Sequence, residues 1–321
     1  MKIDLLSNID YVFGAAGVEE TESGFYAQRM TSKLMKVFSC MEAMEIRAMN
    51  SSGIRIAFVS DTSFVAVKLI LGRYSRAIFT TDVVIDGFQT MTFGPQEYCE
   101  EFAFNAELTG AGEKRIEIYL PNLCEVTVAG LEVEDGCFIS PVREERSRMM
   151  FIGDSITQGM TVSSPSLTYP ALVAAALNKD FHNIAVGGMT MDGKLGKLAL
   201  DIEWDTAFVA FGTNDFAQDR KLSDFAGDAE EMLTQLSLRK GAVIYLLTPI
   251  PWFGRTEPNK LGLSLEDYRK MLKSVAAGFK NVCLVDGMSL VPDEPSCFVD
   301  NVHPNDKGMK AFARNLLNKI K

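Results

Sequence analysis

The spacing of apolar and polar positions changes part-way along the chain. Residues 54–59, 64–71, 77–86, 115–120 and 125–133 are short runs in which apolar, often β-branched side chains recur at every second position. Successive side chains of an extended strand point to opposite faces, so this period marks strands with one buried face. Turn formers separate the runs: Asp61-Thr62-Ser63, Asp86-Gly87 and Gly110-Ala111-Gly112. The stretch between Gly87 and Arg115 is read as a loop. Short strands at this spacing predict an antiparallel β-sandwich. The first 45 residues carry a weaker pattern and are expected to add edge strands or to wrap the sandwich.

Residues 141–148 read as a charged connector, and beyond them the rhythm is different. Residues 149–152, 207–211, 243–247 and 282–285 are compact, uninterrupted apolar runs. Such runs suit parallel strands buried on both faces. Helical spacing fills the intervals at 168–177, 225–238, 265–279 and 305–319, with Thr168 placed to cap the first of these and Pro170 in its first turn. Strands alternating with helices predict βαβ units, a parallel sheet and a helical layer on each face, an α/β fold. A chain of 321 residues is longer than one core usually covers. The expected organisation is therefore a β-sandwich over residues 1–145 and an α/β domain over 146–321.

Composition narrows the function classes. The formal net charge of -10 argues against binding nucleic acid or an anionic membrane. The first ten residues are too polar for a signal-peptide core, and no apolar run approaches the roughly 20 residues of a membrane helix. The expected compartment is the cytoplasm. In that reducing environment the six scattered cysteines are expected to be free and mostly buried. Only His182 and His303 are available as imidazole ligands and no ligand spacing appears, so no metal or other cofactor is expected.

The chemistry-bearing residues stand at the predicted strand ends, where parallel sheets place their working groups. Gly153-Asp154-Ser155 follows the first apolar run, Asn183 to Gly188 follows the next helix, Gly212-Thr213-Asn214-Asp215 follows the run at 207–211, and Asp300-Asn301-Val302-His303-Pro304 precedes the last helix. A serine hydroxyl needs an adjacent base at neutral pH, and imidazole supplies one. His182 adjoins a buried strand and has no carboxylate at a comparable spacing, which leaves His303. Asp300, three residues earlier, can reach the imidazole across a tight turn. Asp154 is read as structural, accepting from loop N–H groups, and Asp215 as a turn residue.

These four blocks, in this order over roughly residues 149–321, resemble those of the SGNH (GDSL-type) hydrolases. The resemblance implies a three-layer, flavodoxin-like α/β/α domain and a serine esterase with Ser155, Asp300 and His303 as catalytic triad. It also implies an oxyanion hole made by the backbone N–H of Ser155, the backbone N–H of Gly188 and the side-chain amide of Asn214. The β-rich first half resembles the jelly-roll domain that precedes this fold in bacterial carbohydrate acetylesterases. A small acyl ester, above all an O-acetylated saccharide, is the substrate so implied. In the rim segment Pro249 to Arg255, Trp252 offers a face on which a sugar can stack, and Phe253 or Phe216 is available to line an acyl pocket. A thioesterase or a lysophospholipase would use the same triad. A different class of reading makes the β domain a carbohydrate-binding module beside an inactive hydrolase, with Tyr74, Phe88 and Tyr98 as its aromatics.

Overall fold

The computed structural model describes residues 1–142 and 148–320. Two compact units emerge, one of Met1–Arg146 with Ser163–Ser166, the other of Ser147–Val162 with Leu167–Lys321. The expected boundary at residue 145, and most of the charged connector, lie outside the described residues.

The first unit contains β1 (Val12–Phe13), β2 (Gly17–Thr21), β3 (Gly24–Gln28), α1 (Ser32–Phe38), α2 (Glu42–Met49), β4 (Arg55–Ser60), β5 (Phe64–Tyr74), β6 (Thr81–Ile85), β7 (Gln89–Phe93), β8 (Glu101–Glu107), β9 (Lys114–Tyr119), β10 (Cys124–Val133) and β11 (Ile139–Pro141). They build two antiparallel sheets, ordered β1-β4-β9-β6-β7 with β11 on β4, and β2-β3-β10-β5-β8. The period of two dictates the core: Val65, Val67, Leu69 and Leu71 of β5 join Val126, Val128, Leu131 and Val133 of β10 and Ile116 and Ile118 of β9 in one buried cluster. β1 and β2 are edge strands, while α1 and α2 were not expected.

The stretch read as a loop after Gly87 instead holds β7 and β8. In β8 the signal was present, since half-buried Phe102 and Phe104 and buried Ala106 alternate with exposed neighbours. Stacked Tyr74 and Tyr98, with centroids 5.2 Å apart, flank buried Phe79. Phe88 stands 94% exposed on the β6–β7 turn, in the other sheet, so these aromatics form no continuous row. The short Ser163–Ser166 segment is held by β6 and its approach: Thr80 donates to the Ser163 carbonyl at 2.8 Å, and Asp82 accepts from the Ser166 N–H at 2.9 Å.

The second unit runs β12 (Arg148–Gly153), α3 (Ser155–Gln158), α4 (Tyr169–Leu177), β13 (Asp180–Asn183), α5 (Lys194–Ala199), β14 (Thr206–Ala210), α6 (Thr213–Ala217), α7 (Leu222–Leu236), β15 (Val243–Leu247), α8 (Leu265–Ala276), β16 (Val282–Val285) and α9 (Asp306–Leu317). Its five strands are all parallel, in the order β13-β12-β14-β15-β16. Helices cover both faces: α4 packs with α9, Tyr169 stacked on Phe312 at 3.9 Å, and α5, α7 and α8 form the other group. Thr168 does cap α4, accepting from the Ala171 N–H.

This strand order carries a switch point. The chain leaves β12 for β13 on one side, then returns past it to β14 on the other. The connection leaving β12 for β13 and the one leaving β14 for β15 therefore diverge at the carboxyl ends of β12 and β14, and the gap they leave is where open parallel sheets hold ligands. Ser155 begins α3 directly beyond β12.

All six cysteines are free, but only Cys124 and Cys297 are buried, and Cys40 and Cys283 are exposed. The expectation of mostly buried thiols fails because Cys283 lies on edge strand β16, outside the covered core. Among the described residues, no helix is long and apolar enough to cross a membrane.

Candidate active site

The segment that carries Ser155 is built from buried polar groups, each of which needs a partner. Asp154 caps α3, its Oδ1 accepting from the Ile156 N–H at 3.0 Å. Thr157 shares a 2.9 Å hydrogen bond with the Tyr169 phenol, and Asn183 Nδ2 donates to the Thr157 carbonyl at 2.9 Å. Gln158 Oε1 accepts from the Gly187 N–H at 2.8 Å. Gly153 has no room for a side chain, since a Cβ would sit 2.4 Å from Thr157 Oγ1. Gly159 ends the short helix in a left-handed conformation at φ 79°. Burial pushes the Asp154 carboxyl up to about 7, the Ile156 N–H opposes that rise, and the nearby Asp215 charge adds to it.

His303 comes from the turn before α9. Its Nε2 is 2.8 Å from Ser155 Oγ, and its Nδ1 is 2.8 Å from Asp300 Oδ2. The tautomer with the proton on Nδ1 satisfies both contacts, leaving Nε2 to accept the serine proton. Asp300 Oδ1 also accepts the His303 backbone N–H at 2.9 Å, which closes the turn. Burial works to raise Asp300, but the hydrogen bonds from His303 and its charge prevail and hold the carboxyl below its usual value. Asn301 adopts φ 67° at the tip, and its carbonyl accepts from the Phe253 N–H at 2.8 Å. Capping of α9 falls to Asn305, whose Oδ1 accepts from Gly308 N–H at 3.0 Å. Asp300 and His303 are thereby left free of that duty.

The candidate oxyanion donors belong to three separate segments. Ser155 is the first residue of α3, where an N–H has no partner within the helix. Gly188 adopts φ 84°, open to glycine without strain, and its N–H has no partner among the described residues. The Gly187 N–H is instead taken by Gln158. Asn214 Nδ2 donates one hydrogen to the Met189 carbonyl at 2.9 Å, which orients the amide and leaves its second hydrogen.

Asp215 corrects the sequence reading, for it is no solvent-facing turn residue. Its side chain is 0% exposed and accepts from the Met191 N–H at 3.1 Å and from Arg220 Nη1 at 2.9 Å. The signal lay in Arg220, but their convergence with Met191 exists only in three dimensions. His182 is buried within β13.

The rim residues sort differently. Phe216 is buried, edge-on to both Trp252 at 5.7 Å and Tyr268 at 6.0 Å. Half-buried Trp252 carries the Arg255 guanidinium 5.7 Å from its ring centre. Both rings line a cavity of about 200 Å³ with Arg255, Glu266 and Arg269. Phe253 is half-buried and does not line it.

The fold is similar to a salicylyl-acyltransferase from a tetracycline biosynthetic pathway, with TM-score 0.82 and 22% identity over 96% of this chain and 93% of that one. It is also similar to a family two carbohydrate esterase from Clostridium thermocellum in complex with cellohexaose, with TM-score 0.65 and 16% identity over 85% and 93% of the two chains. An acetyl xylan esterase from the rumen bacterium Butyrivibrio proteoclasticus gives TM-score 0.57 and 18% identity over 84% and 89%. At such identities the likeness is one of fold. No curated protein matches the sequence. The sequence pattern of the GDSL-like lipase/acylhydrolases matches residues 151–311, so the chain belongs to that family.

Proposed function

We propose that the protein is a serine esterase that removes small acyl groups, acetyl above all, from a carbohydrate through an acyl-serine intermediate. The observation carrying this reading is the continuous relay Ser155 Oγ, His303 Nε2, His303 Nδ1, Asp300, with both links at 2.8 Å. Ser155 attacks the ester carbonyl carbon as its proton passes to His303 Nε2. Asp300 stabilises the imidazolium and holds the ring. The oxyanion of the tetrahedral intermediate is held by the N–H groups of Ser155 and Gly188 and by the Asn214 amide. One such donor is worth about 3 kcal/mol in the transition state. Collapse expels the alcohol, protonated by His303. Water, activated by the same imidazole, then releases the acid.

The saccharide part of the reading is supported by likeness of fold to carbohydrate esterases and by Trp252, whose ring borders a cavity with charged side chains able to meet sugar hydroxyls. p-Nitrophenyl esters of rising chain length and acetylated saccharides, with acetate release as the readout, test it. Preference for acetyl and loss of turnover in Ser155→Ala are expected. A preference for long chains defeats the acetyl assignment, and turnover surviving in Ser155→Ala defeats the mechanism.

A further inference from the structure

We propose that Arg220 is a positioning residue that sets the spacing between two oxyanion donors, Gly188 and Asn214; this rests on the serine-esterase reading above. Residues 184–192 form neither helix nor strand, and their backbone bonds to β12 end at Val186, whose N–H donates to the Gly153 carbonyl at 3.1 Å. Beyond Met189, whose N–H still donates to the Val186 carbonyl, side chains supply the fixing. Met191, three residues beyond Gly188, gives its N–H to Asp215 at 3.1 Å and its carbonyl to Arg220 Nη1. Arg220 Nη1 also meets Asp215 Oδ1 at 2.9 Å, and its Nη2 pairs with Asp228. Asp228 in turn accepts the Gly193 N–H at 3.0 Å, so a single guanidinium ties down both Met191 and Gly193.

The other end of the tie is Asn214 itself. Asp215 is its immediate neighbour in α6, and the Arg220 N–H donates to the Asp215 carbonyl at 3.0 Å. The Tyr268 hydroxyl from α8 donates to the Arg220 carbonyl, anchoring the arginine from behind. The Gly188 loop and the Asn214 helix are therefore referenced to one side chain that is 21% exposed. A planar fork with several fixed donors can serve Met191, Asp215 and Asp228 together, whereas an ammonium is a point charge on a flexible stem. The Ser155–His303–Asp300 relay is separate from this network. Loosening Arg220 should thus misplace the oxyanion hole while leaving the proton relay intact.

That separation gives the test. In the full chain, Arg220→Lys and Arg220→Ala are measured on p-nitrophenyl acetate, with active sites titrated so that only folded enzyme is counted. Displacement of about 1 Å in such a site can cost about 10²-fold. Arg220→Lys should lower kcat by about 10-fold and Arg220→Ala by about 10²-fold, with KM and the shape of the pH profile little changed. Affinity for phenylboronic acid, whose tetrahedral serine adduct needs the same hole, should fall in parallel. Added guanidinium chloride at millimolar concentration should restore part of kcat in Arg220→Ala. If that variant does not fold, Arg220→Lys and Asp228→Asn carry the comparison. A kcat per active site and a boronate affinity within about twofold of native in Arg220→Lys would overturn the proposal. Ser155→Ala serves as the control: turnover surviving there refutes the serine-esterase reading itself, a failure distinct from an unaffected Arg220 variant.

Discussion

Ser155 and His303 meet at 2.8 Å, yet the walls that carry them are made differently. The wall of the proposed nucleophile is buried: Asp154, Thr157, Gln158, Asn183 and Asp215 are all nearly inaccessible, and their side chains are bonded to backbone or to the side chains of Tyr169 and Arg220. The base wall is a surface turn in which the Asp300 side chain is 47% exposed and His303 20%. A buried polar group must keep its partner or destabilise the fold, whereas an exposed one can turn to water. Stability and activity should therefore separate on the base wall and fall together on the nucleophile wall.

The largest effect should come from His303. Replacing it by Gln removes the proposed base, and kcat/KM should drop by about 10³-fold or more. The midpoint of thermal unfolding should barely move, because the turn keeps the Asp300 bond to the backbone N–H of residue 303. A large loss of stability in calorimetry would show that the two walls do not differ as argued. On the opposite wall, Asn183→Ala should cost about 3 kcal/mol in urea unfolding. It removes the side-chain bonds that Asn183 makes to the buried Thr157 carbonyl and Ala185 N–H. Activity should fall with it, since Thr157 shares α3 with Ser155.

Asp300→Asn sharpens the contrast within the relay. An asparagine here still accepts the backbone N–H groups but no longer stabilises an imidazolium. Loss of a deeply buried aspartate in such a relay costs about 10⁴-fold. At 47% exposure, solvent screens the charge and shares its work, so about 10²-fold is expected here. Stability should change by less than about 1 kcal/mol. A kcat unchanged from native would mean that Ser155 and His303 work as a pair alone.

What could be read from the sequence follows the same division. Ser155, His303 and Asp300 declare themselves because the chemistry demands those residue types and because short motifs carry them at strand ends. The strands at 243–247 and 282–285 coincide with the observed β15 and β16, since uninterrupted apolar runs between helices have few other solutions. Asp215 was illegible. Its acidic side chain after a strand reads as a turn, and only the arrival of Met191 and Arg220 makes its burial tolerable. α1 and α2 were hidden for a related reason. α2 starts without a side-chain cap and buries only Ala48, so its periodicity is faint and its place depends on contacts made elsewhere. β8 carries a clear alternation, masked by the run of turn-like residues before it.

The smallest effect belongs to Asp154, and it distinguishes burial from catalysis next to the nucleophile. Burial pushes this carboxyl from an ordinary 3.8 up to about 7. In the unfolded chain it ionises near 4, so between about pH 4 and 7 the folded state holds a proton that the unfolded state has lost. Unfolding then releases a proton, and stability declines as pH rises through this window and levels off above it. Asp154→Asn cannot ionise, yet its amide oxygen can still accept the Ile156 N–H. The advantage of the variant over the native protein should grow by about 2–3 kcal/mol between pH 4.5 and 8, the linkage expected for a carboxyl moved from 3.8 to about 7. Urea unfolding at four values between pH 4.5 and 8.5 measures the difference. If it is flat across that range, Asp154 is ionised in the folded protein, and the nucleophile wall carries a buried negative charge within it rather than a neutral cap.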